Sequence, residues 1–177
     1  MIIRSELAET AAVLNAAHMM CAAARTAPKT KAIDNIKTLI LTDDDIKRVS
    51  DHMREIADNQ GFMLRDADCI LRAGAVVMIG VKKAVYGIEC SYCGFESCEE
   101  CINAKGTCVF ATTDLGIAVG SAVSVAADLR VDNRVMYSVG RAFGQMAESG
   151  DEETIWLGIP LSVSGKNQFF DRKRPVK

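Results

Sequence analysis

Apolar positions along the 177-residue chain fall into two rhythms, one of about 3.6 residues and one of continuous short runs. Residues 5–24 predict an Ala-rich helix. Leu7, Leu14, Ala17, Cys21 and Ala24 can share one of its faces, Ser5 can cap it, and Glu6 and Glu9 suit its first turn. Pro28 cannot continue a helix and biases Ala27 away from α geometry, so residues 25–35 read as a loop. Residues 36–41 predict a strand. A helix opens at Thr42 and the three following aspartates, repeats Ile46, Val49, Met53 and Ile56 to about Asn59, and is closed by Gly61. A short helix carrying Cys69 is expected over 65–72, and the apolar run 74–80 predicts a buried central strand.

Residues 112–128 are apolar nearly all round, which predicts a buried helix, with Thr112, Thr113 and Asp114 as caps and Gly116 and Gly120 spaced for close packing. A further helix is expected over 135–148, where Gly140 costs about 1 kcal/mol against Ala and so argues for close contact. Residues 154–160 predict a third strand closed by Pro160. The basic tail 164–174 carries Phe169 and Phe170, which should pack on something, a partner subunit being the expectation. This order predicts an α+β fold with a small mixed or antiparallel sheet.

Composition adds bounds. Apolar residues make up 49% of the chain and aromatics only 6%, enough for the core of one ordinary domain. A net charge of −2 gives no general electrostatic reason to bind nucleic acid or a membrane surface. No basic start leads into an apolar run, and no uninterrupted apolar stretch reaches the roughly 18 residues of a span. Together with bunched cysteines that suggest no disulfide framework, this predicts a cytoplasmic protein. His18 is expected to be partly buried and satisfied, His52 solvent-facing, and Cys21 a small core residue. No Ser–His–Asp set can be assigned, and no histidine lies near the cysteines in sequence.

Five of the seven cysteines, Cys90, Cys93, Cys98, Cys101 and Cys108, fall within nineteen residues. Thiolates are soft charged ligands, and four together call for an iron–sulfur cluster or zinc. Only four residues separate Cys93 from Cys98, tight for two zinc knuckles. Gly94 can take φ > 0 there and leave room for a bulky group. Taking Cys90, Cys93, Cys98 and Cys108 gives C-x2-C-x4-C-x9-C; with its C-G-F it resembles the [4Fe–4S] motif of the Rnf and corrinoid iron–sulfur proteins, whose last spacer is longer. Cys93, Cys98 and Cys101 instead give C-x4-C-x2-C, the plant-type [2Fe–2S] spacing; Gly94 and Phe95 favour the first set and a [4Fe–4S] cluster, with Cys101 a spare or alternate ligand. In the loop before the first strand, Arg25, Lys29 and Lys31 stand among hydroxyls and suit either solvent or a phosphate.

Residues 14–41 (L-N-A-A … A-R-T-A-P-K … I-D-N-I-K-T-L-I-L), 114–129 and 156–172 resemble the opening loop, buried helix and closing segment of flavin-dependent nitroreductases. With the motifs A-R-T-A-P-K, G-S-A-V-S-V-A-A-D, R-V-D-N-R-V-M-Y-S and G-I-P-L-S-V-S-G-K-N-Q-F-F-D-R-K, the whole chain is similar to a bacterial and archaeal family of ferredoxin-domain proteins to which no function is assigned. The resemblance implies a single nitroreductase-like, three-layer domain over 1–177, with a cysteine-rich iron–sulfur insert at 88–110. It also implies a homodimer and FMN, with Arg25, Lys29 and Asn35 in the flavin loop and Arg172 near the phosphate. In departure from that pattern, Lys29 stands where the loop usually has Ser, and Arg4 stands alone where an arginine pair is usual. The resulting expectation is an iron–sulfur electron-transfer protein, either a ferredoxin-like module or a flavin-linked oxidoreductase with an unidentified redox partner. The alternative is a non-enzymatic dimer with a structural or sensing zinc site.

Overall fold

Alternation along one buried strand sets the layers. In the computed structural model, which describes residues 1–58, 60–150 and 153–170, that strand is β2 (Ala75–Lys82), buried at every position until Lys82. It is flanked antiparallel by β1 (Ile36–Leu41) and β4 (Thr154–Ser162). A two-residue β3 (Asp132–Asn133) borders β4, giving the order β1-β2-β4-β3. Successive side chains of a strand point to opposite faces. Ala75, Val77, Ile79 and Val81 of β2, with Ile159 and Leu161 of β4, enter a core shared with α1 (Ser5–Thr26) and α5 (Val109–Asp128). Val76, Met78 and Trp156 enter a second core with α2 (Asp43–Glu55), α3 (Gly61–Ile70) and α6 (Tyr137–Gly144). The result is the expected three-layer α+β arrangement, with an antiparallel sheet. Between β2 and α5 the chain runs without regular structure to Ser97 and then forms α4 (Cys98–Asn103).

Several expectations change in detail. Gly61 opens α3 instead of closing α2, and the 135–148 helix is shorter, followed by a 3-10 turn at Ala147–Ser149. Pro160 does not end β4. It faces Val76 on one side; on the other the β3 ladder, paired at Asp132–Ser162 and Asn133–Leu161, skips the two positions Pro160 and Ile159 and resumes at Met136–Gly158. A residue without an N–H is accommodated at such a gap. Gly140 does mark close packing: a Cβ there would lie 1.8 Å from the Trp156 carbonyl oxygen. Phe169 is buried in the chain's own second core, and Phe170 lies under the Arg134 guanidinium, 5.4 Å from ring centre, so neither needs a partner subunit. His18 is exposed, and His52 contacts Glu55 and Gln145.

The two long helices depart most. On α1 the inward face is Val13, Ala16, Ala17, Met20 and Ala24, while Leu7 is 67% exposed and Ser5 makes no cap bond. On α5 only Ala111, Asp114, Leu115, Ala118, Val119, Ala122 and Ala126 are buried, not the whole circumference. One sheet face and one neighbouring helix can cover only one side of it. Among the described residues, nothing lies within 4 Å of a Cβ built at Gly116 or Gly120. By length and composition α1 and α5 could each cross a membrane. Counting only uninterrupted apolar residues misses this, because Thr10, Asn15 and His18 punctuate α1 and Gly116, Gly120, Ser121 and Ser124 punctuate α5. In this fold both helices lie against the sheet and each other.

Candidate metal centre

The thiols are arranged by a series of tight turns. Beyond β2, Glu89, Ser91 and Gly94 all take positive φ; Gly94, at +86°, does so as its sequence context predicts, and its N–H donates to the Ser91 carbonyl at 3.1 Å. The Ser97 hydroxyl caps α4 by accepting the Glu100 N–H at 3.1 Å, and the Glu100 carboxylate accepts the Glu96 N–H. Glu89 grips the start of α4 twice: its carboxylate accepts the Cys98 N–H at 2.9 Å and its own N–H donates to Cys98 Sγ at 3.4 Å. The far end of α4 closes with Lys105 in the left-handed region. Its N–H donates to the Ile102 carbonyl and that of Gly106 to the Cys101 carbonyl, a Schellman turn. This turn reverses the chain and delivers Cys108, buried, to the N-cap of α5.

Cys101 is the centre of this group. It has no exposed surface, and its Sγ fills the space a side chain at Gly106 would take: a Cβ there would lie 3.1 Å from that sulfur and 2.6 Å from the Phe95 ring. Burial, then the hydrogen-bonded Cys93 thiol, and then Cys108 and Cys98, push the Cys101 thiol above its ordinary range. A bound cation would reverse that tendency and favour the thiolates. Cys90, Cys93 and Cys98 are half-buried. Outside, Tyr92 and Phe110 stack with ring centres 6.4 Å apart. Among the described residues no three His, Cys, Asp or Glu side chains are already drawn together tightly enough to grip one ion. An all-sulfur donor set of five thiols within nineteen residues fits an iron–sulfur cluster or a zinc ion by its chemistry.

The residues assigned to flavin by resemblance are placed differently. Lys29 Nζ donates to the carbonyls of Arg25, Ala27 and Ala24 at 2.5, 2.7 and 3.4 Å, closing the C-terminal end of α1. Arg25 donates to Asp34 and to the Ile36 carbonyl, each at 2.7 Å, and Asn35 donates to the Tyr86 hydroxyl at 3.2 Å. All three ammonium protons of Lys29 are thus engaged within the chain, and neither Lys29 nor Asn35 is offered to a phosphate. In this arrangement they do not fit one. Arg172 lies outside the described residues. Two surface hollows, one lined by Leu39, Val49 and Phe143 and one of about 340 Å³ lined by Arg130, Asp132 and Lys166, include none of these residues and no cysteine.

Sequence reasoning missed the cluster that joins the two regions. Asp114 was read as a helix cap; it is instead a buried carboxylate, 2% exposed, accepting from Thr30 N–H at 3.0 Å, Thr30 Oγ1 at 2.8 Å and Tyr86 OH at 2.8 Å. Lys31 Nζ adds a bond to the Tyr86 carbonyl at 3.1 Å. The strand exit leading to the cysteines is therefore tied to the loop after α1. A lone carboxylate among Ala, Leu and Val was the available signal.

Comparison with known proteins agrees with this architecture. A nitroreductase with bound FMN from Desulfitobacterium hafniense superposes with a TM-score of 0.57 at 15% identity, over 94% of this chain and 81% of that one. A nitroreductase with bound FMN from Bacteroides fragilis gives 0.56 at 12% identity, over 100% and 86%. At these identities the likeness is one of fold. An "Uncharacterized protein" from Archaeoglobus fulgidus is 38% identical over 167 residues, covering 89% of this chain and 90% of its own. Residues 104–172 match the family described as "Uncharacterized protein containing a ferredoxin domain (DUF2148)"; the match starts after Cys101 and takes in Cys108 alone of the five clustered cysteines. With that relative spanning nearly the full length, the chain belongs to this family of ferredoxin-domain proteins.

Proposed function

We propose that this protein is an iron–sulfur electron carrier built on a nitroreductase-like frame. The observation that carries the proposal is the placement of five cysteines within nineteen residues, with α4 setting Cys98 and the fully buried Cys101 on one turn and the buried Cys108 at the N-cap of α5. A cluster held by four of the five thiolates would accept and release single electrons. The chain's own part is to hold and tune it. The Glu89 N–H directed at Cys98 Sγ withdraws charge from that sulfur and favours the reduced state. The Phe95 ring packs beside Cys101 at Gly106. No flavin step is drawn, because Lys29 and Asn35 are engaged internally.

Anaerobic purification followed by absorption, iron and acid-labile sulfide measurement tests this reading. Broad absorption near about 400 nm with stoichiometric iron supports it; a colourless protein with one zinc per chain overturns it. The two C-x2-C pairs, Cys90–Cys93 and Cys98–Cys101, are what favours the zinc reading.

The same proposal includes a homodimer formed through the uncovered sides of α1 and α5. On α5 Gly116, Ile117 and Gly120 face outward with room for another backbone, and on α1 Leu7 and Met19 are exposed. Free thiols throughout suit a reducing cytoplasm, where we place the protein.

A further inference from the structure

Among the described residues, every hydrogen bond that joins residues 85–107 to the rest of the chain is made at Tyr86. The bonds of Glu89, Ser91, Glu96, Cys98 and Glu100 stay inside the segment, as do those of its turns and of α4. We infer that Tyr86 is the clasp of the cysteine segment: its hydroxyl, bonded to Asp114, closes the segment into a loop and so positions the thiols for a metal or cluster. This rests on the metal-binding reading above and deepens it.

The two partners flank the thiols. Tyr86 lies four residues before Cys90, and Asp114 lies six residues after Cys108, on the helix whose N-cap is Cys108. The 2.8 Å bond between them spans 28 residues of sequence. Tyr86 is 5% and Asp114 2% exposed, so water does not compete for the bond. Both partners are themselves held. Lys31 Nζ donates to the Tyr86 carbonyl at 3.1 Å, and the Asn35 amide donates to the Tyr86 hydroxyl oxygen at 3.2 Å. That hydroxyl therefore both donates and accepts, which fixes its direction. Thr30 steadies the carboxylate with its N–H and its hydroxyl. The Tyr86 ring enters the same core as Cys108. The Tyr92–Phe110 stack also links the segment to α5, but Tyr92 is 77% exposed and holds less firmly. A segment with free ends must lose the entropy of closure when its thiols converge on a metal, and a segment already closed does not. Tyr86 acts through the loop and is a positioning residue, not a ligand.

The test uses the reduced full chain freed of metal, with cadmium ion as the probe. Binding is followed by thiolate-to-cadmium absorption in competition with a chelator. Tyr86→Phe removes the hydroxyl and keeps the ring. Thr30→Val removes a hydroxyl from the same Asp114 carboxylate but leaves the clasp. Both should lower the urea midpoint slightly. Tyr86→Phe alone should weaken cadmium binding about tenfold, with Thr30→Val within about twofold of wild type. A second variant, Lys31→Met, loosens the same anchor from an exposed loop position, keeps the result readable if Tyr86→Phe folds poorly, and should weaken binding about threefold. Wild-type affinity in Tyr86→Phe or Lys31→Met, or an equal loss in Thr30→Val, overturns the clasp. Wild-type protein that binds no cadmium through its thiols overturns instead the metal-binding reading on which the clasp rests.

Discussion

Replacing Asp114 by alanine should detach the loop after α1 from the strand exit that leads to the cysteines. The carboxylate accepts three donor groups: Thr30 N–H, the Thr30 hydroxyl and the Tyr86 hydroxyl. Thr30 is only half-buried, so water recovers part of its loss. Tyr86 is buried, and its O–H loses its acceptor while still accepting from Asn35. A buried donor left without a partner costs about 1–3 kcal/mol, and bonds to a charged group contribute about 1.5–3 kcal/mol each. Removing a buried carboxylate also relieves its own desolvation, which offsets part of that sum. The net expectation is about 2–4 kcal/mol of destabilisation. Asparagine keeps one acceptor for Thr30 and turns its amide to Tyr86 oxygen, so Asp114→Asn should cost less, about 1–2 kcal/mol. Urea unfolding at neutral pH measures this as a lower midpoint at unchanged slope. Thermal unfolding should fall about 2–4 °C per kcal/mol. The Thr30 amide should also lose hydrogen-exchange protection more than amides of β2. A loss under about 0.5 kcal/mol for Asp114→Ala, with Thr30 still protected, would refute the reasoning.

Burial first, then the Asp114 carboxylate against the opposing Asn35 amide, raises the Tyr86 phenol above its ordinary range. Its contribution is therefore complete below about pH 10 and lost as pH rises through the folded value; Tyr86→Phe should remove that part of the alkaline decline in a pH series of urea melts. Gly140→Ala forces a Cβ onto the Trp156 carbonyl and should cost more than about 2 kcal/mol or prevent soluble expression, where a wild-type-like melting temperature would contradict the packing. Gly106→Ala should push Phe95 and Cys101 aside and lower bound iron with little change in circular dichroism; unchanged loading would argue against the space assigned there. Gly120→Leu meets nothing within the chain, so it should leave the fold intact while shifting light-scattering mass from dimer towards monomer.

Periodicity determined the elements here, and the family resemblance implied their three-layer arrangement. The continuous run of β2 and the 3.6 spacing of Ile46, Val49 and Met53 are local properties, and each element formed where its apolar residues demanded burial. The five thiols and the turn at Gly94 were equally legible, because their chemistry lies within nineteen residues. What depends on residues distant in sequence was not legible. That α5 buries one face only follows from how much sheet is available to cover it. That Lys29 closes α1 follows from where the loop folds back. The Thr30–Asp114 bond spans 84 residues, and no local pattern records it. The burial of Cys101 is of this kind too: it follows from the Schellman turn that ends α4 and the Phe95 ring packed at Gly106, neither of which the cysteine spacing records. The sequence by itself determined the elements and the class of chemistry, which are short-range; the tertiary structure decided which side chains are free to act, because that depends on what the rest of the chain has already engaged.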